Sequence, residues 1–262
     1  MHVKETSNLK IYPTKQTIDR PLGIPPPFQD KNSVYVITGG QGSGKSSFIN
    51  SALTCRKPDG KIWSGCYSRV MYATPNECFD ENHPMKNHVK SRLFHTFDED
   101  MLNNVIQQAL EVKHESKGSS LLVIDDFSEE LKNLSTIRLL KKVINKHRHY
   151  HLSIALSSLL MKSVPKQIRG LVDYYVIFKP KGLIELEGFT DEVFGLSRKE
   201  MLRVMDFVFD APHNFLLYDN KRNHFYKNFD RLILSPEAWM RVPRLDMVED
   251  WEIASYGGSC DV

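Results

Sequence analysis

The sequence predicts an α/β protein built on a mostly parallel, doubly wound sheet, and three observations support this fold class. Short runs rich in β-branched residues alternate with helical patterns along residues 34–178, which is the order that parallel sheets require. One run, residues 121–125, is apolar up to its last residue, as in strands that are covered on both faces. A glycine-rich turn leads from the first run into a helical segment, as in ligand-binding βα units.

The spacing of apolar residues and the residues that start or end helices predict the elements of this core. A helix is expected to begin at Ser46 and Ser47, directly after the glycine-rich turn. Further helices are predicted at 98–113 and 137–146. Strands are predicted at 34–38, 69–74, 92–96, 121–125, 152–156 and 174–178.

The pattern changes after Pro180, where a C-terminal helix and a β-hairpin are predicted. Ser197-x-x-Glu200 is a capping box for a helix that runs to about Phe209. The hairpin strands, 215–219 and 224–229, flank the turn-rich residues 220–223. The chain is therefore expected to divide into an N-terminal arm (1–30), an α/β core (31–180) and a C-terminal extension packed on the core (181–262).

The bulk composition excludes some classes of protein. At 262 residues the chain can bury a sizeable core, and its net charge of +3 neither requires nor excludes a nucleic-acid partner. Its four cysteines show no C-x-x-C spacing, and no apolar run approaches the roughly 20 residues that span a bilayer. The N-terminus lacks the apolar stretch of a secretory signal, so we expect a soluble protein with reduced thiols in cytosol or nucleus.

The segment VYVITGGQGSGKS at residues 34–46 matches the phosphate-binding pattern G-x-x-x-x-G-K-S after a strand. It predicts binding of a nucleoside triphosphate, taken to be ATP, with Mg²⁺. Lys45 would reach the β and γ phosphates, the Ser46 hydroxyl would ligate magnesium, and the helix dipole would face the same anion. The predicted nucleotide contacts are Gly39, Gly40, Gln41, Gly42, Ser43, Gly44, Lys45, Ser46 and Ser47.

Two carboxylates, Asp125 and Asp126, follow the apolar strand and are expected at the same sheet edge as the phosphate loop. Asp125 would hold Mg²⁺ directly or through water, and Asp126 would orient or deprotonate the attacking water. An Asx turn alone would also explain the pair, but the upstream loop favours the catalytic interpretation. We further expect the run at 69–74 or 92–96 to insert between the two motif strands, as suits motor ATPases better than small nucleoside kinases.

Residues 27–179 resemble the DNA-packaging ATPases of poxviruses, other large DNA viruses and virophages, within the FtsK and HerA superfamily of P-loop NTPases. The resemblance rests on short motifs whose order and spacing are kept. They are Pro27-Phe28, TGGQGSGKS at 38–46, YATP at 72–75, LLVIDDFSEEL at 121–131, Arg148-His149, Ser153-Ile154, Val164-Pro165 and Arg169.

The resemblance implies an ATP-hydrolysing motor that translocates double-stranded viral DNA into a capsid. It implies a homo-oligomeric ring, pentameric or hexameric, with Mg-ATP at subunit interfaces and a capsid or portal protein as a further partner. Such a protein would work at viral assembly sites in the host cytoplasm or nucleus, or in association with the virion. Arg148 and Arg169 are the candidates for an arginine that neutralises transition-state charge, one of them in a neighbouring subunit.

One departure from the family pattern leaves other functions open. The family usually places a polar sensor, often Gln, at the position of Leu159, so Ser157 or Ser158 would have to replace it. If neither does, the chain would be a nucleotide-binding virion or scaffold protein with little hydrolysis. A nucleotide kinase, with Arg148 and Arg169 in a lid, is a third alternative.

A basic run around the predicted 137–146 helix contains no acidic residue. DNA phosphates are a plausible partner for it, and a solvated helix face is the alternative. Tyr150 is its one aromatic residue, which disfavours stacking on single strands. The run comprises Arg138, Lys141, Lys142, Lys146, His147, Arg148, His149 and His151.

Overall fold

The computed structural model describes residues 24–28, 30, 32–57, 62–75, 92–127, 131, 133–181, 185 and 190–233. Within these residues, nine strands form one sheet. The strands are β1 (Val34–Thr38), β2 (Arg69–Ala73), β3 (Leu93–Phe94), β4 (Ser120–Ile124), β5 (Leu152–Ser158), β6 (Tyr174–Phe178), β7 (Phe215–Asp219), β8 (His224–Lys227) and β9 (Asp230–Leu232).

Helices connect the parallel strands and cover the sheet. The α-helices are α1 (Lys45–Thr54), α2 (Glu99–Ser116), α3 (Leu134–Tyr150), α4 (Lys166–Arg169) and α5 (Arg198–Val208). A 3₁₀ turn at Met161–Ser163 and a π-helical turn at Thr190–Phe194 complete the described helical segments. No helix in the described ranges is both long and apolar enough to cross a membrane.

The strand order is β3-β2-β4-β5-β1-β6-β7-β8-β9. Strands β3 to β6 in this order are parallel, and β7, β8 and β9 continue the same sheet antiparallel to one another. The predicted α/β class with a mostly parallel sheet is therefore confirmed. The division at residues 30 and 180 stays a prediction, since the sheet itself runs on across residue 180.

The expectation that the strand at 69–74 or 92–96 lies between the motif strands is wrong. Strand β5 occupies that place, and β2 and β3 lie on the far side of β4. The burial of the strands gives the reason. All seven residues of β5 are buried, as a central strand requires, whereas both residues of β3 are partly exposed and suit a sheet edge.

The predicted helices 98–113 and 137–146 both exist and are longer than expected. Asp98 caps α2 by accepting a hydrogen bond from the Met101 amide, and Asn133 caps α3 through the Ser135 amide. Most of the additional residues form last turns that end in the left-handed cap residues Lys117 and His151. Beyond the core, the capping box of Ser197 and Glu200 and the hairpin of β7 and β8 are confirmed, and β9 had not been predicted.

Helices α2, α3 and α5 pack on one face of the sheet, and α1 packs on the other. The face under α1 is rich in aromatic residues. Phe28, from the segment that precedes β1, is fully buried there, with ring centroids 5.5 Å from Tyr35 and 5.2 Å from Tyr174. Trp63, after α1, closes the same cluster at 4.9 Å from Tyr35.

An ion-pair cluster ties the same N-terminal segment to the hairpin turn. Arg222 donates from Nη2 to Asp30 Oδ1 and from Nη1 to Asp219 Oδ2, each at 2.8 Å, and Tyr174 Oη donates to Asp30 Oδ2 at 2.9 Å. Burial alone would raise the pKa of Asp30. The hydrogen bonds from Arg222 and Tyr174 and the charge of Lys221 outweigh it and lower the pKa to about 2.

The Phe28→Ala variant should be destabilised by about 3–5 kcal/mol, because a fully buried ring would leave a cavity among packed aromatic side chains. Chemical denaturation would measure the change. Phe207→Ala is the matched control, since that ring is 59% exposed and its loss should cost at most about 1 kcal/mol. Equal costs for the two variants would contradict the anchoring role of Phe28.

Asp30→Asn should lower the free energy of unfolding at neutral pH by about 1 kcal/mol, a value reduced for solvent screening. The pKa of Asp30 is lower in the folded than in the unfolded protein, so its contribution is present above about pH 4. It is lost as the pH falls toward 2, and wild type and variant should converge there. Asp206→Asn, at an exposed carboxylate of α5, is the matched control and should change the free energy of unfolding by no more than about 0.5 kcal/mol. A constant difference across this pH range would contradict the prediction.

Candidate active site

The loop between β1 and α1 lies at the carboxyl edge of the parallel strands. The Gly39 amide donates to Ser158 O of β5 at 3.3 Å, which joins the loop to the central strand. A Cβ on Gly39 would lie 2.6 Å from both Phe178 Cβ and Ser43 Oγ, so only glycine fits there. Gly44, the residue before α1, has φ 112°, a conformation that side chains disfavour. The turn therefore depends on glycine at the first and last glycine positions of the motif.

Lys45, the first residue of α1, folds its side chain back onto the loop. Its Nζ donates to Gly39 O at 2.7 Å and to Gly40 O at 3.0 Å. Partial burial lowers the pKa of Lys45, and the negative charges of Asp125 and Asp126 oppose that shift. Strands β1 and β4 lie parallel on either side of β5, so the phosphate loop and the two aspartates follow strands that end at the same edge of the sheet.

Asp125 is buried at the end of β4, and both its side chain and its backbone amide are hydrogen-bonded. Its Oδ2 accepts from Tyr72 Oη at 2.8 Å, and its amide donates to Ala73 O at 2.8 Å. Tyr72 lies on the neighbouring β2, and the sequence analysis gave it no role of its own. Its place two residues before the edge that carries the phosphate loop could have indicated one.

Asp126 has a different environment from Asp125. It is exposed and adopts a left-handed conformation with φ 62°, which aspartate tolerates better than most residues. The chain thus turns sharply after β4, so that the carboxylate of Asp125 is buried and that of Asp126 is exposed to solvent. Such a pair can divide two tasks, one held in a fixed hydrogen bond and one open to water.

The register of the sheet distinguishes Ser157 from Ser158. Ile124 pairs with Leu156, so Asp125 and Ser157 follow side by side, and both lie on the face that α1 covers. Ser157 Oγ is buried and makes no hydrogen bond within the described part of the chain. Ser158 Oγ, on the opposite face, donates to Leu160 O at 3.1 Å. Leu159 is 38% exposed.

The structure does not bring Arg148 to the loop of its own subunit. Arg148 lies near the end of α3, at the amino edge of the sheet, with a 63% exposed side chain. Its Nη2 lies 3.9 Å from Asp173 Oδ1, and Oδ2 of the same aspartate accepts from the amide of Val34, the first residue of β1. The phosphate loop follows the other end of β1, so Arg148 and this loop lie at opposite edges.

Arg169 ends α4 and is only partly exposed. Its Nε donates to Val164 O at 3.0 Å, and its own carbonyl accepts from Tyr175 Oη at 2.7 Å. These bonds fix the turn between β5 and β6. The geometry therefore gives Arg169 a structural task in addition to the one predicted for it.

Residues outside the predicted motifs also border the loop, and the sequence gave no signal that they would lie there. His213, in the turn before β7, donates from Nδ1 to Ser43 O at 3.1 Å. The Phe178 ring would lie 3.3 Å from a Cβ on Gly44. The Lys181 side chain would lie 3.7 Å from a Cβ on Gly40. The C-terminal part of the sheet thus supports the loop from outside.

The residues present fit a nucleotide with Mg²⁺. Buried hydroxyls without hydrogen bonds in the described part of the chain lie around the loop, on Thr38, Ser43 and Ser157. In the same ranges, no group of three His, Cys, Asp or Glu side chains forms a metal site. Asp125 and the exposed Ser46 would therefore bind the ion together with phosphate and water oxygens, as is usual for Mg²⁺.

Comparisons with known proteins give similarity in structure but not in sequence. No family model and no curated protein matches the chain. Two similar solved structures are of the genome-packaging NTPase B204 from Sulfolobus turreted icosahedral virus 2 in complex with AMP and of the DNA-packaging ATPase B204 from Sulfolobus turreted icosahedral virus. The first has 18% identity and a TM-score of 0.56, and covers 77% of this chain and 98% of that chain. The second has 16% identity, a TM-score of 0.57, and coverage of 76% and 98%.

A third similar structure is the cytoplasmic domain of the type VII secretion ATPase EccC from Thermomonospora curvata. It has 12% identity and a TM-score of 0.52, and the match covers 80% of this chain and 27% of that one. B204 has also been solved with AMPPCP and with ATP-gammaS. The resemblance inferred from the sequence is therefore confirmed at the level of the fold: this chain has a P-loop NTPase fold similar to those of the viral genome-packaging NTPase B204 and of the type VII secretion ATPase EccC.

Proposed function

We propose that this protein is an ATP-hydrolysing motor that translocates double-stranded viral DNA into a capsid. The observation that carries the proposal is that the phosphate loop with Lys45 and the pair Asp125 and Asp126 lie at the same edge of the sheet, on either side of β5. The similarity of the fold to that of B204 supports nucleotide hydrolysis as the reaction and genome packaging as the process that the reaction drives. The position of β5 between the motif strands argues against the nucleotide kinase alternative.

Each residue of the site has a task that follows from its environment. Lys45 donates hydrogen bonds to two loop carbonyls, and the phosphates of a bound triphosphate can take their place. Ser46, in the first turn of α1, lies where the same ligand would bind. Asp125, fixed by Tyr72, would hold Mg²⁺, which supplies charge neutralisation on the phosphates. Asp126, at the surface of the edge, would orient the attacking water or take its proton.

The oligomeric part of the proposal rests on Arg148. An exposed arginine at the amino edge cannot serve the loop at the opposite edge of its own sheet, so it would act on the nucleotide of a neighbouring copy. Such a head-to-tail contact gives a ring when its rotation closes, and we propose the five or six subunits that the family resemblance implies. A capsid or portal protein is the proposed further partner, and viral assembly sites in the host cytoplasm or nucleus, or the virion, are the proposed location.

A nucleotide-binding virion or scaffold protein with little hydrolysis is the second candidate. It is favoured by Leu159, which is apolar and partly exposed where the related ATPases usually place a polar sensor. The two candidate functions differ in whether the hydroxyl of Ser157 replaces the polar sensor. Its buried hydroxyl lies beside Asp125 and in register with β1, and it can replace that sensor from the neighbouring position.

Lys45→Ala and Asp126→Asn should each lower steady-state ATP hydrolysis by about a hundredfold or more, because each removes a group that acts on the transferred phosphoryl or on water. Double-stranded DNA should stimulate the wild type and neither variant. His224→Ala, at a partly exposed position of the hairpin, is the control and should behave as wild type. ATP binding without turnover, with or without DNA and at concentrations that permit assembly, would refute the motor and favour the scaffold.

Ser157→Ala should lower kcat about tenfold with little change in the KM for ATP, if its hydroxyl acts at the γ phosphate or on Asp125. Ser158→Ala is the matched control one residue away, on the face turned away from α1, and should keep kcat within about twofold. Thermal unfolding of both variants would exclude a loss of fold. Unchanged kcat in Ser157→Ala, or a larger effect of Ser158→Ala, would show that Ser157 is not the sensor.

A further inference from the structure

Helix α3 carries a concentrated positive charge, of which the proposed nucleotide site uses only Arg148. Its 17 residues include five Lys or Arg side chains and no acidic residue. The whole chain has a net charge of +3, so everything outside this helix has a net charge of −2. Positive charge is therefore collected on one element instead of being spread over the surface, which is the pattern expected of a polyanion-binding face.

The charged side chains point to solvent on one side of the helix. Its buried side packs on the sheet through residues such as Leu140, Val143 and Ile144. At 100° per residue, Arg138, Lys142 and His149 fall on one line along the exposed side. Lys141, Lys146 and Arg148 flank that line and are exposed too. We refer to Arg138, Lys141, Lys142, Lys146 and His149 as the α3 basic face, and Arg148 keeps the role proposed for it at a neighbouring nucleotide.

The chain itself neutralises little of this charge. Arg138, Lys141, Lys142 and Lys146 make no ion pair and no hydrogen bond in the part of the chain that the structure describes. The adjacent helix α2 carries Glu111, but this carboxylate pairs with Arg69 at 2.9 Å. Four exposed cations without internal partners are available to an external anion.

The shape of the face favours a duplex. From Arg138 to His149 the line extends about 16 Å along the helix, enough to contact phosphates on both sides of a major groove about 12 Å wide. Stacking on single strands needs exposed aromatic side chains. The one aromatic residue of α3, Tyr150, is half-buried and packs against the hydrophobic core.

We infer that the α3 basic face binds the phosphate backbone of double-stranded DNA without reading its sequence. The choice of DNA as the polyanion rests on the proposed function, whereas the surface is assigned from charge and geometry. This face lies on the opposite side of the sheet from α1, so DNA binds there apart from the nucleotide. The helix begins eight residues after Asp126, so the chain leads from the water-facing carboxylate directly into the DNA-binding element.

The test is fluorescence anisotropy of the full chain with a labelled duplex of about 30 base pairs, without nucleotide, between about 50 and 200 mM salt. The variant is Arg138→Gln/Lys141→Gln/Lys142→Gln. The matched control, Arg56→Gln/Lys57→Gln/Lys199→Gln, removes three exposed charges elsewhere. The α3 variant should bind at least about tenfold more weakly near 0.1 M salt, and its slope of log K against log salt should fall by about 2 to 3. The control should stay within about twofold of the wild type in affinity.

If the α3 variant had the same affinity and salt slope as the control, the inference would be overturned. The α3 basic face would then be a contact for an acidic protein surface. Failure of the wild type to bind duplex at low salt would overturn it as well. Basal ATP hydrolysis without DNA separates this result from the proposed function. Duplex binding lost in the α3 variant of a protein that hydrolyses no ATP would support the surface while refuting the motor.

Discussion

The register of β5 between β4 and β1 is the constraint on which the site depends. β5 pairs in parallel with both motif strands, and its last carbonyl accepts the amide of Gly39. The same register places Ser157 beside Asp125. A shift of one residue would turn Ser157 to the other face and move the phosphate loop relative to the aspartates. The complete burial of β5 opposes that shift, since Leu152, Ile154 and Leu156 pack in one hydrophobic layer and Ala155 packs in the other.

Much of the fold was predictable because its signals are local. The continuous apolar strand before Asp125, the glycine motif and the capping box at Ser197 each reflect the physics of a few neighbouring residues. Strand order was not predictable in the same way. Nothing within the runs at 69–74 or 152–156 states which one pairs with β1, because this depends on which surfaces are buried once all strands are present. The short strand β9 likewise depends on pairing with β8.

The site shows the same division between local and distant causes. The loop residues and both aspartates follow from motif spacing. Tyr72 and His213 do not, because they come from other strands and turns and reach the site only through the sheet. The choice between Ser157 and Ser158 needed the direction of each side chain across β5. Arg148 carried a motif signal, but only the fold shows that it lies at the amino edge.

The place of β1 has a consequence for synthesis of the chain. β1 is the first of the described strands to leave the ribosome, but its two neighbours are β5 and β6, and Val34 pairs with a residue 120 positions later. Its buried Tyr35 and Ile37 therefore have no sheet to join until most of the core has been translated. Such long-range pairing slows folding and leaves an apolar segment exposed meanwhile. The nascent chain should therefore require chaperone protection up to about residue 180, longer than a fold built from neighbouring strands would.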